Sequence, residues 1–258
     1  MDQRQIKQRA ISIAIPAIFL IAACAIWEAT VRLAGTPVYI LPPPSKILAE
    51  ILNQNLSLLR HTGVTMLESV LGFLAANCLA FALAVLFAHS RVLEKGLYPY
   101  AIALKTTPIV AIAPLLVLWF GTDMLSKIVA AGLISFFPVL VNATKGLRSV
   151  DEEALDLFRS LAASNWQIFR LLRLPNSLPY LFSALKISTS LSVVGAIVGE
   201  FVGANKGLGY LILISSYHLE TPAVFAAIVA AAIGGILFFT VVSLVERMML
   251  SWQEPSEV

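Results

Sequence analysis

The sequence predicts an all-α, polytopic membrane protein with six transmembrane helices, and three observations carry that prediction. The 258-residue chain is 59% hydrophobic and only 13% charged, with mean hydropathy +0.86, whereas soluble domains carry about 25% charged residues. Uncharged runs recur along it, each approaching the ~20 apolar residues that a bilayer core requires. A single polar island, DEEALDLFRSLAASNWQIFRLLRLPNSLP at 151–179, interrupts the series. One integral domain, 1–258, accounts for the length. The net charge of +3 does not point to nucleic acid, because the basic residues are scattered over loop positions rather than clustered.

The first span is 11–27. The basic MDQRQIKQRA before it has the look of a signal peptide, but no small-residue cleavage site follows and Glu28 and Arg32 do, so the span is read as uncleaved. In ILPPPSKILAEILNQNLSLLRHTG, Pro42–Pro44 exclude helix and give a rigid extended entry. The helical spacing of SKILAEILNQNLSLL then predicts a short helix lying on the membrane. The second span, 69–88, lies between Glu68 and His89, and the third (106–122) and fourth (128–144) flank the turn GTDMLSK.

The fifth span runs 174–199, interrupted only by Lys186, and the sixth 221–245. Between them, GANKGLGYLILISSYHLETP is a glycine-rich external loop; the phosphate-binding pattern GxxxxGK[ST] is absent from it and from the whole chain. Cys24 and Cys78 sit in apolar runs and are read as small buried hydrophobes. His61, His89 and His218 have no metal-ligand spacing, so no metal site is expected.

Loop charge sets the orientation. With both termini cytoplasmic, the inner side carries eleven basic residues: Arg4, Lys7, Arg9, Arg91, Lys95, Lys145, Arg148, Arg159, Arg170, Arg173 and Arg247. The outer side carries five, namely Arg32, Lys46, Arg60, Lys127 and Lys206. The island therefore lies in the cytoplasm between spans four and five. Leu155, Phe158 and Leu161 recur every three residues with Asp156, Arg159 and Ser160 between them, which predicts a short amphipathic helix. Pro175 and Pro179 place the start of the fifth span. Two readings fit these residues: a helix covering the cytoplasmic face of the bundle, or a docking helix for a groove on a partner.

The island resembles the cytoplasmic loop of permease subunits of binding-protein-dependent ABC importers, whose pattern is EAA, three residues, Gly, nine residues and Ile-x-Leu-Pro. Aligned on Leu174-Pro175, the Gly position falls on Ala162, the Ile position on Leu172, the family's Phe on Phe169, and the EAA triplet on Asp156-Leu157-Phe158. Across 38–250, ILPPPSKIL, HTGVTMLESVLGFLAA, PLLVLWFG followed by SK, FFPVLVNATKGLRSVD, LPNSLPYLFSALKIS and GEFVGANKGLGYLI are similar, in order, to segments of one branch. That branch serves nitrate, sulfonate, taurine, bicarbonate and pyrimidine-type substrates.

The resemblance implies a type I importer permease in the bacterial inner membrane, with its coupling loop at 151–175. Two copies, most simply a homodimer, would share a central pathway in the lipid bilayer. Two ATP-binding subunits holding ATP and Mg would dock at the islands, and an extracytoplasmic binding protein would deliver the solute. By position, Asp156, Phe158, Arg159, Ser160, Ala162, Ala163 and Ser164 would contact the ATPase. ATP-driven closure would draw the islands together and rock the helices. The resemblance favours an oxyanion such as a sulfonate, taurine or nitrate, with pyrimidine-type thiamin precursors as the alternative.

Spans three to five carry the candidate pathway residues. Thr107, Pro108 and Pro114 predict a kink and carbonyls freed at membrane depth. Pro138 and Asn142 follow in span four, and Ser188 and Ser192 in span five. They line a polar pathway on one reading and pack helices through small and hydroxyl residues on the other. Glu68, Lys105, Lys186 and Glu200 are ionisable groups in or at the edges of spans, positions that are costly and often functional. Lys186 either assists an anion or snorkels to the boundary; Glu200 lines an outer gate or meets water. A secondary transporter would show an inverted repeat and broken midplane helices, which are not evident. An intramembrane enzyme would need a nucleophile with a base, or an HExxH, and no catalytic residue of either kind is found.

Overall fold

The computed structural model describes residues 3–250, with side chains from residue 14 onward. The side chains of Arg4, Lys7 and Arg9, used above for orientation, lie outside the described residues. Every regular element described is helical. In chain order they are α1 (Gln3–Leu33), α2 (Pro44–Asn53), α3 (Asn55–His89), α4 (Arg91–Thr106), α5 (Ile109–Phe120), α6 (Met124–Arg148) and α7 (Glu152–Ser160), then α8 (Asn165–Ile168), a π-turn (Phe169–Arg173), α9 (Leu174–Gly203), α10 (Leu208–Tyr217) and α11 (Thr221–Met249).

Among the described residues, five stretches are long and apolar enough to cross a membrane: Ala14–Leu33, α3, α6, the continuous Asn165–Gly203 and α11. The third span, expected at 106–122, corresponds instead to α4 and α5, which meet at 99° and are long and apolar enough only as a pair, as a broken span or a re-entrant loop. The break falls at Thr107-Pro108. Pro108 has no N–H to continue α4, and the hydroxyls of Thr106 and Thr107 donate to the freed carbonyl of Ala103 at 2.8 and 3.0 Å. Pro114 and Pro138, by contrast, sit inside unbroken helices.

Several boundaries differ from the sequence reading. The second span begins at Asn55 rather than 69, because Glu68 is not at the water boundary but 3% exposed inside the bundle. The surface helix is therefore only α2, and Pro44 opens it after extended Pro43, since a missing N–H costs nothing in a first turn. The fifth span is helical from Asn165, nine residues before Leu174, because the wide π-turn carries the helix up to Pro175. The glycine-rich segment contains the apolar helix α10. Cys24 is half-buried and Cys78 exposed rather than buried, as an apolar side chain on a membrane helix has no need of a protein neighbour.

The chain forms two compact units, residues up to 59 with 211–229, and 60–210 with 230 onward. In the first, Glu28 of α1 accepts from the Ser45 backbone N–H (3.0 Å) and hydroxyl (2.7 Å), capping an α2 whose own N-cap, Pro43, cannot. Trp27 packs on Phe225 at 5.6 Å.

In the second unit α6 is the central helix and packs along α9, with α3 and α5 against it. Small residues allow this. Ala130, Ala131 and Ala143 are fully buried. A Cβ on Gly195 would stand 2.7 Å from Ala131 Cα and 2.8 Å from the Ala130 carbonyl oxygen; one on Gly72 would stand 2.5 Å from the Ile128 carbonyl oxygen. Helix backbones approach this closely only where a side chain is missing. Ser188 of α9 then donates to the Ser135 carbonyl of α6 at 2.7 Å.

Candidate functional site

The island folds into an exposed helix on a fixed base. Asp151 caps α7, its carboxylate accepting from the Glu153 N–H at 3.3 Å. Glu152 and Glu153 in the first turn and Arg159 in the last complement the helix dipole. No residue of α7 is buried, and Leu157, Leu161 and Trp166 leave large apolar surfaces uncovered. Asp156 and Arg159 pair at 3.1 Å on the exposed face. Exposed apolar side chains among charges on a helix this short are what a partner's groove recognises.

The helix is closed by backbone geometry. The Ala162 N–H donates to Arg159 O at 2.9 Å and the Ala163 N–H to Phe158 O at 3.0 Å, the paired bonds of a Schellman turn. That turn needs a left-handed residue, and Ala162 supplies it at φ 54°. Alanine bears a steric cost there that glycine does not. Ala162→Gly should therefore stabilise the end of α7 by about 1 kcal/mol, seen as slower amide exchange at Ala162 and Ala163; unchanged or faster exchange would refute it.

Beyond the turn the chain is pinned. Ser164 and Gln167 form a reciprocal capping box, at 3.3 Å from Gln167 N–H to Ser164 Oγ and 2.7 Å from Ser164 N–H to Gln167 Oε1. Ile168 and Phe169 are buried, with Phe169 between Trp166 (5.6 Å) and His89 (5.5 Å). Arginines hold the last carbonyls of α3: Arg173 bonds Ala88 O at 3.3 Å, and Arg148 bonds Phe87 O and pairs with Glu94. A cleft of about 460 Å³ opens beside α7, lined by Leu155, Asp156, Arg159, Arg91, Arg148 and Arg173. A displacement of α7 is thus transmitted to α3, α6 and α9 rather than absorbed by a loose loop.

The structure brings residues 156–164 into one exposed segment. It does not gather the candidate pathway residues. Thr107 and Pro108 are exposed at the α4–α5 break. Asn142 donates back to the Pro138 carbonyl at 2.8 Å. Ser188 and Ser192 are fully buried and bonded to backbone carbonyls. Glu200 is 1% exposed and fully engaged within the fold.

Lys186 pairs with Glu246 of α11 at 2.8 Å. Glu246 escaped the sequence reading, although it is the charge that ended the sixth uncharged run and is opposite in sign to Lys186. Removing either partner leaves a lone charge at membrane depth, at a cost of about 2–3 kcal/mol. Lys186→Glu and Glu246→Lys should each lower thermal stability, and the double exchange should recover most of the loss; additive losses would show that the pair contributes nothing.

Residues 69–251 match the family model described as binding-protein-dependent transport system inner membrane component. The formylaminopyrimidine transport permease protein ThiX of Halalkalibacterium halodurans is 35% identical over 93% of this chain and 96% of its own length. The riboflavin transport system permease protein RibX of Chloroflexus aurantiacus is 35% identical over 88% and 85%. Permeases named for aliphatic sulfonates and taurine are similar at 33% and 26% identity. In fold, the chain matches a chain of the MetNI methionine ABC transporter in inward-facing conformations, at TM-score 0.67 and 18% identity over 76% of this chain and 98% of that one. The chain belongs to the inner membrane components of binding-protein-dependent transport systems, and is the permease subunit of an ABC importer.

Proposed function

We propose that two identical copies of this permease form one translocation pathway and that the island of each receives one ATPase subunit. Both termini face the cytoplasm. The contact is made by Asp156, Phe158, Arg159, Ser160, Ala162, Ala163 and Ser164. ATP and Mg are held by the ATPase, this chain contributes no catalytic residue, and an extracytoplasmic binding protein delivers the solute. The carrying observation is α7 itself, with no buried residue, closed by the Schellman turn and fixed to three spans at its base. In the pathway, the exposed break at Thr107-Pro108 is the residue pair best placed to meet the solute, with Pro114, Pro138 and Asn142 shaping the helices behind it.

For the solute, we favour a small nitrogen heterocycle of the kind named for the formylaminopyrimidine and riboflavin relatives over an oxyanion. Lys186, the cation that would attract an oxyanion, is neutralised by Glu246. Affinity purification of the tagged chain from its host's membranes should bring down an ATPase at about one copy per permease. A chain that remains free of any ATPase in mild detergent would overturn the coupling assignment. Reconstituted with that ATPase and the accompanying binding protein, the complex should take up a labelled aminopyrimidine and not taurine; the reverse preference would restore the oxyanion.

A further inference from the structure

At the end of α9 opposite the island lies a buried polar cluster that the transport cycle described above does not use. Three successive backbone N–H groups at the start of α10 are each captured by a side chain. Gly207 donates to His61 Nδ1 at 3.0 Å, Leu208 to Thr65 Oγ1 at 2.7 Å and Gly209 to Glu200 Oε2 at 2.5 Å. Thr65 Oγ1 in turn donates to Glu200 Oε1 at 2.7 Å. The turn passes directly over the carboxyl group: Gly207 has φ 107°, and a Cβ there would lie 2.1 Å from Glu200 Oε1. Thr65 and Glu200 are 0% and 1% exposed. Glu200 and Thr65 thus clasp α10 to α9 and α3.

Glu68 lies one turn along α3 from Thr65 and is 3% exposed. Its carboxyl group meets that of Glu200 within hydrogen-bond reach, while its Oε2 has no partner among the described residues. No basic side chain lies within ion-pair distance of either acid among the described residues. Lys127 of α6 acts on both carboxyls through space. Its ammonium is occupied by the carbonyls of Thr122 (2.5 Å), Asp123 (3.2 Å) and Gly203 (3.0 Å). The other charges around the cluster are the Asp123 carboxylate beside Lys127 and Arg60 beside His61.

Two carboxyl groups cannot hydrogen-bond to each other without a hydrogen between them, and two adjacent buried carboxylates repel. We propose that Glu68 and Glu200 together bind one proton, carried by Glu68 and donated to Glu200, and that this proton-bound pair is the clasp that holds the start of α10. Glu200 accepts from a hydroxyl and a backbone N–H, bonds that suit the ionised partner. The bare Oε2 of Glu68 suits the neutral one, because an unpartnered carboxylate oxygen in a dry site is the costlier arrangement. One shared proton and the Lys127 ammonium leave the cluster with no net charge at membrane depth.

The test uses the full-length permease with its ATPase in lipid nanodiscs, labelled with ¹³C-glutamate, and reads the infrared carbonyl band of protonated carboxyls. The wild type should show a protonated glutamate band that shifts in D₂O and disappears in Glu68→Gln. Amide exchange at 207–209 supplies the second reading, independent of any substrate. Glu68→Gln, whose amide still donates, should keep that segment protected. Glu200→Ala, which removes the acceptor of the Gly209 N–H, should speed exchange there about ten-fold or more. A Glu68→Gln spectrum identical to the wild type would overturn the bound proton and leave a cation as the occupant. Unchanged exchange in Glu200→Ala would overturn the clasp.

Discussion

Gly195→Val should prevent the permease from accumulating in the membrane. The added Cβ alone would stand 2.7 Å from Ala131 Cα and 2.8 Å from the Ala130 carbonyl oxygen. Both are backbone atoms of α6, with no rotamer to yield, so α9 has to move away from its principal neighbour. Overpacking costs about 1–3 kcal/mol where side chains can adjust, and a contact against backbone belongs at or above the upper end. The loss spreads because Ser188 and Ser135 bridge the same two helices. Gly96→Ala is the control: its Cβ meets nothing within 4 Å, and removing a helical glycine should be neutral or stabilising by up to about 1 kcal/mol. Membrane abundance and thermal melting in detergent distinguish them. A Gly195→Val protein melting with the wild type would show that α6 and α9 do not depend on this approach.

Ala163→Asp should leave the bundle intact and abolish ATP-driven uptake. Ala163 follows the left-handed residue that closes α7, and its N–H donates to Phe158 O. Its side chain has no role in the core, so melting should not change. In the proposed docked state it faces the ATPase at close quarters, where an unpaired carboxylate costs about 3 kcal/mol or more, equivalent to about 100-fold weaker docking. Co-purification of the ATPase should fall with uptake. Normal uptake by Ala163→Asp would show that the segment after α7 does not dock. Loss of uptake with full ATPase retention would place the defect in force transmission instead.

Much of the architecture was legible in the chain. Apolar runs located the five long spanning helices and the bent α4–α5 pair, because a bilayer core imposes a length requirement that composition alone reports. The island's three-residue repeat located α7. The alignment put the family's glycine on Ala162, and only the structure gives the reason a glycine suits that position: Ala162 is left-handed there. Thr106-Thr107-Pro108 marked a kink, since local hydrogen-bonding chemistry is written in neighbouring residues, but the break between two helices there was not evident from the sequence. Its 99° bend was not legible, nor was the choice of Pro108 over Pro114 and Pro138 as the breaking proline. That choice depends on whether nearby hydroxyls and packing can accommodate the lost bond.

The polar residues within spans were the least readable. Ser188 could be assigned either to a pathway or to packing, and only the Ser135 carbonyl at 2.7 Å resolves its partner. Glu68, taken as the edge of a span, is buried in one. Lys186 needed Glu246, 60 positions away, to explain it. Thr65 and Glu200 meet across 135 positions. Length, hydropathy and residue spacing are properties of a segment, so the sequence alone settled the class, the apolar stretches and the place of the exposed helix. Which buried charges meet is a property of how segments pack. In a chain whose helices are nearly all apolar, no periodic signal selects the partner, and only the tertiary structure could decide it.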